Sequence, residues 1–167
     1  MKLIIFLIAL GSPLGLLSQI ETIQPEELSI KFDSVDISIW NIYFKELSLS
    51  EEETAPPSRM LAQYTLTQTE AKDLLDHLKS DHSYSGERAN LSHHDIEINF
   101  YLNGKTTLIL EISAMTGNIT IYSQISDYSF RNNSSKTFGQ FLLSILENGK
   151  LLEIAEYDEI DVEGLAN

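Results

Sequence analysis

Four side chains in the middle of the sequence have the chemistry of a catalytic or metal site: His82, His93, His94 and Asp95. Imidazole and carboxylate groups are ligands for zinc and copper. However, adjacent histidines in a loop seldom reach the same ion without distortion, and the sequence has no His-Glu-x-x-His spacing. The pattern therefore favours a solvated loop in front of a strand, and a small hydrolase or metal-dependent enzyme is the alternative.

Other catalytic chemistries lack their motifs. The sequence has no Gly-x-Ser-x-Gly segment, no glycine-rich phosphate loop and no cysteine. Acidic residues abound, but most stand in runs that we expect to be exposed, whereas an acid–base pair needs one buried carboxyl. We therefore assign no catalytic, metal-binding or cofactor-binding residue and expect no cofactor. Trp40, Tyr43 and Phe44 could line a ligand groove, but packing in the core and at the sheet edge is the favoured interpretation.

The start of the chain predicts export. Lys2 supplies a positive charge, residues 3–10 are all apolar, and Ser18 is a small residue at a cleavage point before Gln19. The apolar run is too short and too interrupted for a membrane-spanning helix, which needs about 20 apolar residues. We therefore expect residues 1–18 to be a cleaved signal peptide, with an uncleaved tether as the alternative. Residues 19–167 should then form a single domain without stable membrane insertion.

Charge and cysteine content narrow the compartment and the partners. The formal net charge is −14, so phosphate backbones and anionic membranes repel the chain, and we expect no binding to nucleic acid. An exported domain without disulfides is commoner in the bacterial envelope, which favours a periplasmic or secreted protein. Residues 51–53 are glutamates, and residues 153–163 are rich in acids without a base. Both stretches would suit a basic envelope or secreted protein as partner.

Residue patterns predict four to five strands. Apolar and polar residues alternate within 30–44, residues 60–66 can form a second strand, and residues 119–125 are predicted as a further strand. A hairpin follows from the alternation over 96–112, which Asn103-Gly104 interrupts. Residues 80–94 and 126–136 are polar, and we predict loops there.

The turn of the hairpin sets its register. A two-residue loop would place Ile98 opposite Ile109 and mix the two faces, because a shift of one residue turns every side chain over. A three-residue loop over 102–104, with Gly104 in the left-handed conformation, places Ile98 opposite Leu108 and keeps the faces apart. We therefore predict the three-residue loop.

Two helices complete the pattern. The first is predicted over 68–79, where Thr67 and Glu70 are spaced as a capping box ahead of an apolar stripe. The second follows Lys136 and ends at Asn148-Gly149, and the acidic C-terminal tail after it has few apolar residues to pack. These elements predict an α+β fold, with an antiparallel sheet of four to five strands and two helices packed on one face.

From Leu66 to Tyr122, the segments AKDLLDHL, SYSGERANLSHHDIEINFYLNG and TTLILEIS resemble a loose group of small, uncharacterised bacterial proteins. In that group, a helix with paired leucines precedes a polar loop and two strands separated by a turn glycine. The group often has cysteines before the first strand and after the second, where this chain has Leu91 and Ser113. The resemblance implies the helix and the hairpin, and it implies that any metal or redox role of those cysteines is absent here.

These observations favour a non-catalytic, exported module that binds a protein or another ligand in the bacterial envelope, such as an inhibitor or an immunity-type protein. Acidic single domains without a catalytic motif seldom are enzymes, and a fold class alone does not supply a function. If the partner is basic, the affinity should fall steeply as the salt concentration rises.

Overall fold

Six antiparallel strands carry the alternating residues of the sequence. The computed structural model describes residue 28 and residues 30–41, 58–86 and 93–166. The strands in this part of the chain are β1 (Ser34–Asn41), β2 (Arg59–Thr65), β3 (Ile96–Leu102), β4 (Lys105–Ile112), β5 (Asn118–Ser123) and β6 (Ser129–Asn133). They pair in the order β2-β1-β3-β4-β5-β6, and every pairing is antiparallel. The sheet therefore has more strands than the four to five that the sequence predicts.

Three described helices pack against one face of this sheet. They are α1 (Gln68–Leu78), α2 (Lys136–Asn148) and α3 (Leu151–Tyr157). Their buried apolar residues join alternate strand residues in one hydrophobic cluster, and we call this side of the sheet the core face. Its strand residues are Val35, Ile37, Ile39, Ile96, Ile98, Phe100, Leu108, Leu110, Ile112, Ile119, Ile121 and Phe130. The α+β class is confirmed, but the structure has three helices instead of the two predicted.

The capping box of α1 is confirmed. The Thr67 hydroxyl accepts the Glu70 N–H at 3.3 Å, and the Glu70 carboxylate accepts the Thr67 N–H at 2.9 Å. Ser135 caps α2 in a similar way, because its hydroxyl accepts the Phe138 N–H at 3.4 Å. Each cap satisfies a backbone donor that has no partner within its helix.

Strand β6 lies in the stretch 126–136, for which the prediction of a loop is wrong. Phe130 is the one buried residue of its sequence SFRNN. The strand forms because it pairs with β5, from Tyr122 opposite Ser129 to Asn118 opposite Asn133. Cross-strand neighbours decide strand formation more than intrinsic preference does, so the local sequence does not show this strand.

The C-terminal tail is folded, and α3 within it was not predicted. Leu151, Ala155 and Leu165 are all buried in the hydrophobic core. The 3-10 turn Glu163–Leu165 packs closely on α2, and a Cβ atom at Gly139 would overlap the carbonyl oxygen of Leu165. Because these few apolar residues stand among many acids, the local sequence does not show that they are covered.

The hairpin between β3 and β4 has a two-residue turn and not the predicted three-residue loop. Leu102 pairs with Lys105, so only Asn103 and Gly104 lie between the strands. Their φ angles are 52° and 72°, and positive φ at both central residues is typical of a tight hairpin turn. The prediction of a three-residue loop is therefore wrong.

A β-bulge at Thr107 explains why this turn does not mix the two faces. The register shifts between Phe100 and Tyr101, and Ile98 pairs with Leu110 on the core face. The Thr107 hydroxyl donates to the Phe100 carbonyl oxygen at 3.1 Å. The two-residue turn alone would place core-face residues of β3 opposite open-face residues of β4. The extra residue Thr107 shifts the pairing by one and aligns the faces again.

Some predictions fall on residues outside the described part of the chain. These are the signal peptide over 1–18, the glutamates 51–53, Tyr43, Phe44 and Leu91. Within the described residues, no helix has the length and the apolar character that a membrane span requires.

Candidate functional site on the open face of the sheet

The structure joins His93 and Asp95, two of the residues that the sequence singles out. His93 Nε2 lies 3.1 Å from Asp95 Oδ1, and Asp95 Oδ2 accepts the Ala114 N–H at 2.9 Å. Burial raises the pKa of Asp95, while the charge of His93 and backbone hydrogen bonds oppose this shift and the charge of Asp161 adds to it. A carboxylate that orients an imidazole is one part of a general-base arrangement.

His94 and His82 lie apart from this pair. His94 Nδ1 lies 3.3 Å from Glu111 Oε2, so it contacts a different carboxylate. His82 is exposed in the 3-10 helix Asp81–Ser83. Among the residues that the structure describes, no group of three or more histidines and carboxylates could hold a metal ion. The predicted residues therefore separate into two histidine–carboxylate pairs and one exposed histidine.

The face of the sheet opposite the helices carries polar residues in rows, and we call it the open face. Its residues alternate with those of the core face, and the strand register aligns them across the sheet. The central row consists of Gln63, Ser38, Glu97, Glu111, Thr120 and Arg131. The row beside it consists of Thr65, Asp36, Asn99, Ile109, Tyr122 and Ser129.

Two carboxylates stand opposite each other at the centre of the open face. Glu97 pairs directly with Glu111 across β3 and β4, and like charges in such a position oppose folding. Asn99 donates to Glu97 Oε1 at 2.6 Å, and the Tyr122 hydroxyl donates to Glu111 Oε1 at 2.9 Å. Arg131 is the only lysine or arginine of the described strands on this face, and it makes no ion pair with a described residue. Asn99 and Tyr122 thus orient the two carboxylates, and His94 Nδ1 contacts the second oxygen of Glu111 at 3.3 Å.

The pKa values of two tyrosines beside these carboxylates are raised, by burial first and by the negative charges in addition. Burial raises the pKa of Tyr122 to about 12, together with its hydrogen bond to Glu111 and the charges of Glu111 and Glu97. Burial also raises the pKa of Tyr101, and the charges of Asp36 and Glu97 add to the shift. Both phenols therefore stay neutral near pH 7, and their rings are available for contacts with a ligand.

Trp40 lies at one end of the open face. It is half-buried and pairs with Met60, whose side chain is 47% exposed. Four residues earlier on β1, Asp36 accepts hydrogen bonds from Thr65 at 2.7 Å and from Gln63 at 2.5 Å. Trp40 is therefore an aromatic residue of the open face and not of the core face.

Sequence analysis missed the pairing of Glu97 with Glu111 for an identifiable reason. The alternation of residues shows that both side chains lie away from the core face. The three-residue loop, however, places Glu97 opposite Ile109. The two-residue turn and the bulge at Thr107 together move its partner by two positions, to Glu111. The sequence alone therefore shows on which face each glutamate lies, but it does not show that the two glutamates are opposite each other.

A second depression lies on the helix side of the molecule, with a volume of about 380 Å³. Its lining residues are Asp73, Asp76, His77, Ser80 and Phe141. The rings of His77 and Phe141 have centroids 4.3 Å apart, and His77 Nδ1 lies 3.2 Å from Ser83 Oγ. Burial lowers the pKa of His77, although the charges of Asp73 and Asp76 oppose this. Ser83 is only 2% exposed, so its hydroxyl is not accessible as a nucleophile.

Comparisons with known proteins do not identify the chain: no protein-family model, no curated protein and no solved structure matches it. The resemblance over Leu66 to Tyr122 therefore stays a prediction.

Proposed function

We propose that this chain is an exported, non-catalytic binding module that binds its ligand on the open face of the sheet. The observation that carries the proposal is the direct pairing of Glu97 with Glu111 at the centre of that face. Such a pair of like charges costs stability. Proteins break rules of this kind mainly at functional sites, and the rest of the fold compensates for the cost.

The composition of the open face supports the proposal. Tyr101, Tyr122 and Trp40 are aromatic residues that are only partly buried, and aromatic residues are enriched in the contact surfaces of protein complexes. Ser38 and Thr120, two small residues of the central row, are only 4% and 7% exposed. The face therefore combines large rings and charged groups with small polar residues on a regular sheet, and the helices of the described residues lie on the other side.

Export is part of the same proposal. The charged start, the short apolar run and Ser18 favour cleavage before Gln19 and a periplasmic or secreted domain. The mass of the protein purified from the producing cells tests this step. A chain that begins at Gln19 would support export with cleavage, and a mass that still includes residues 1–18 would favour the tether.

The absence of cysteine from the chain allows a direct test of the binding face. Gln63 and Ser129 are exposed residues of the open face, and Gln140 is an exposed residue of α2. Each is replaced singly by cysteine, labelled with benzophenone maleimide and irradiated in an envelope extract of the producing organism. We expect a discrete cross-linked product from Gln63→Cys and Ser129→Cys and none from Gln140→Cys. A product from Gln140→Cys alone would contradict the proposal.

A small hydrolase is the alternative function, and the contact between His93 and Asp95 is the observation that favours it. An imidazole oriented by a buried carboxylate can accept a proton from water or from a hydroxyl nucleophile. Hydrolysis of chromogenic esters by the purified protein tests this alternative. Activity that disappears in His93→Ala and persists in His82→Ala would establish it in place of the binding module.

A further inference from the structure

We infer that the occupant of the open face is a segment of a basic protein that places arginine side chains over the paired carboxylates. This inference rests on the proposed function and names the chemistry of the partner. Asp36, Glu97 and Glu111 stand on the neighbouring strands β1, β3 and β4, and Asp36 and Glu97 belong to adjacent rows. These three carboxylates outnumber Arg131, the single lysine or arginine of the described strands on this face. The charge of these strands is therefore complementary to a positive protein surface.

The spacing of the strands suits a guanidinium group. Neighbouring strands lie about 4.8 Å apart, so the carboxylates of Glu97 and Glu111 are within reach of a single planar group with donors on both sides. A guanidinium has five N–H donors in a fixed fork, whereas an ammonium group has no such geometry. Asn99 donates to one oxygen of Glu97, whereas Glu111 accepts from Tyr122 on one oxygen and contacts His94 with the other. These contacts orient both carboxylates before a partner arrives.

The tyrosines add a second type of contact. Tyr122 hydrogen-bonds Glu111, and Tyr101 shares strand β3 and the same face with Glu97. Guanidinium planes stack on aromatic rings as well as binding carboxylates. A peptide that crosses the strands could therefore place arginines on the carboxylates and on the rings at the same time.

Charge also argues against two other occupants. A second copy of this chain also carries a formal charge of −14, so the open faces of two copies repel each other. Anionic ligands are repelled for the same reason. A neutral glycan would not gain from the paired carboxylates in this way, and it is an outcome that the experiment below separates from arginine.

The experiment measures binding of a fluorescent peptide of alternating arginine and serine to residues 19–167 and to two double variants. Glu97→Gln with Glu111→Gln removes the paired charges, and Glu153→Gln with Glu156→Gln removes the same number of charges from exposed positions of α3. We expect the open-face variant to bind about tenfold more weakly than the control variant, because oriented charge-assisted bonds exceed diffuse attraction. Replacing arginine by citrulline should abolish binding.

The outcomes separate this inference from the proposed function. Equal losses in the two double variants, or equal binding of the citrulline peptide, would overturn the arginine inference. If the benzophenone cross-links still map to Gln63 and Ser129 in that case, the open face remains the binding surface, and a neutral ligand is its occupant. If the cross-links map to Gln140 instead, the proposed function itself is wrong.

Discussion

The two faces of the sheet are built from neighbouring residues of the same strands, yet they follow different rules. On the core face, Ile98 pairs with Leu110, and both are fully buried. One residue earlier on β3 and one later on β4, Glu97 pairs with Glu111 on the open face and opposes folding. One side of this sheet therefore supplies stability, whereas the other side tolerates a pair of residues that opposes folding.

The largest expected difference in stability is between substitutions at two adjacent residues of β4, one on each face of the sheet. Leu110→Ala should reduce the free energy of unfolding by about 4 kcal/mol, because it removes a fully buried side chain and leaves a cavity. Glu111→Gln should change it by no more than about 0.5 kcal/mol, because relief of the repulsion from Glu97 and loss of the charged contact with His94 oppose each other. The amide oxygen can still accept the Tyr122 hydroxyl. Urea unfolding followed by circular dichroism measures both. A loss in Glu111→Gln as large as in Leu110→Ala would show that the open face supports the fold.

A smaller effect tests how far the core face extends along the chain. Gly139→Ala should cost about 3 kcal/mol, since the added methyl overlaps the Leu165 carbonyl and forces the C-terminal turn away from α2. Gly104→Ala is the matched control, because its Cβ has no neighbour within 4 Å and only its positive φ is penalised, by about 1 kcal/mol. Thermal unfolding of both variants measures the difference. Equal melting temperatures would mean that the tail is not part of the core.

The smallest effect concerns acid pH on the helix side. Because the folded-state pKa of His77 is lowered, the unfolded chain binds a proton at higher pH than the folded chain does. Stability should therefore fall as the pH drops through the usual histidine pKa towards this lowered value, and the loss is complete below it. His77→Gln should show a smaller decrease between pH 7.5 and pH 5 than the wild type. His82→Gln, at an exposed position, should keep the wild-type decrease, and an equal change in both variants would disprove this assignment.

Local signals were sufficient for the buried side of β3 and for the beginning of α1. The alternation of Ile96, Ile98 and Phe100 with polar residues identified the buried side of β3, and Thr67 with Glu70 identified the start of α1. These patterns depend on residues within one turn or one strand, so a single sequence contains them in full.

Pairing between distant residues could not be read in the same way. The Thr107 bulge, strand β6 and the contact of Leu165 with Gly139 all depend on where another part of the chain lies. The candidate site shares this limit, because Glu97 and Glu111 become a pair only through the register of the hairpin. The histidines attracted attention by composition, whereas the carboxylates became visible only through the strand pairing.

Binding of the arginine–serine peptide to the open face is tested most directly by NMR signals of tyrosine side chains on the two sides of the sheet. Tyr101 and Tyr122 belong to the open face, whereas Tyr84 and Tyr128 pack with the core. Ring-labelled tyrosine in residues 19–167 is observed by NMR while the arginine–serine peptide is added. If the peptide binds to the open face, the chemical shifts of Tyr101 and Tyr122 should change, and those of Tyr84 and Tyr128 should not. Changes confined to Tyr84 and Tyr128, or no change at any of the four rings, would contradict it.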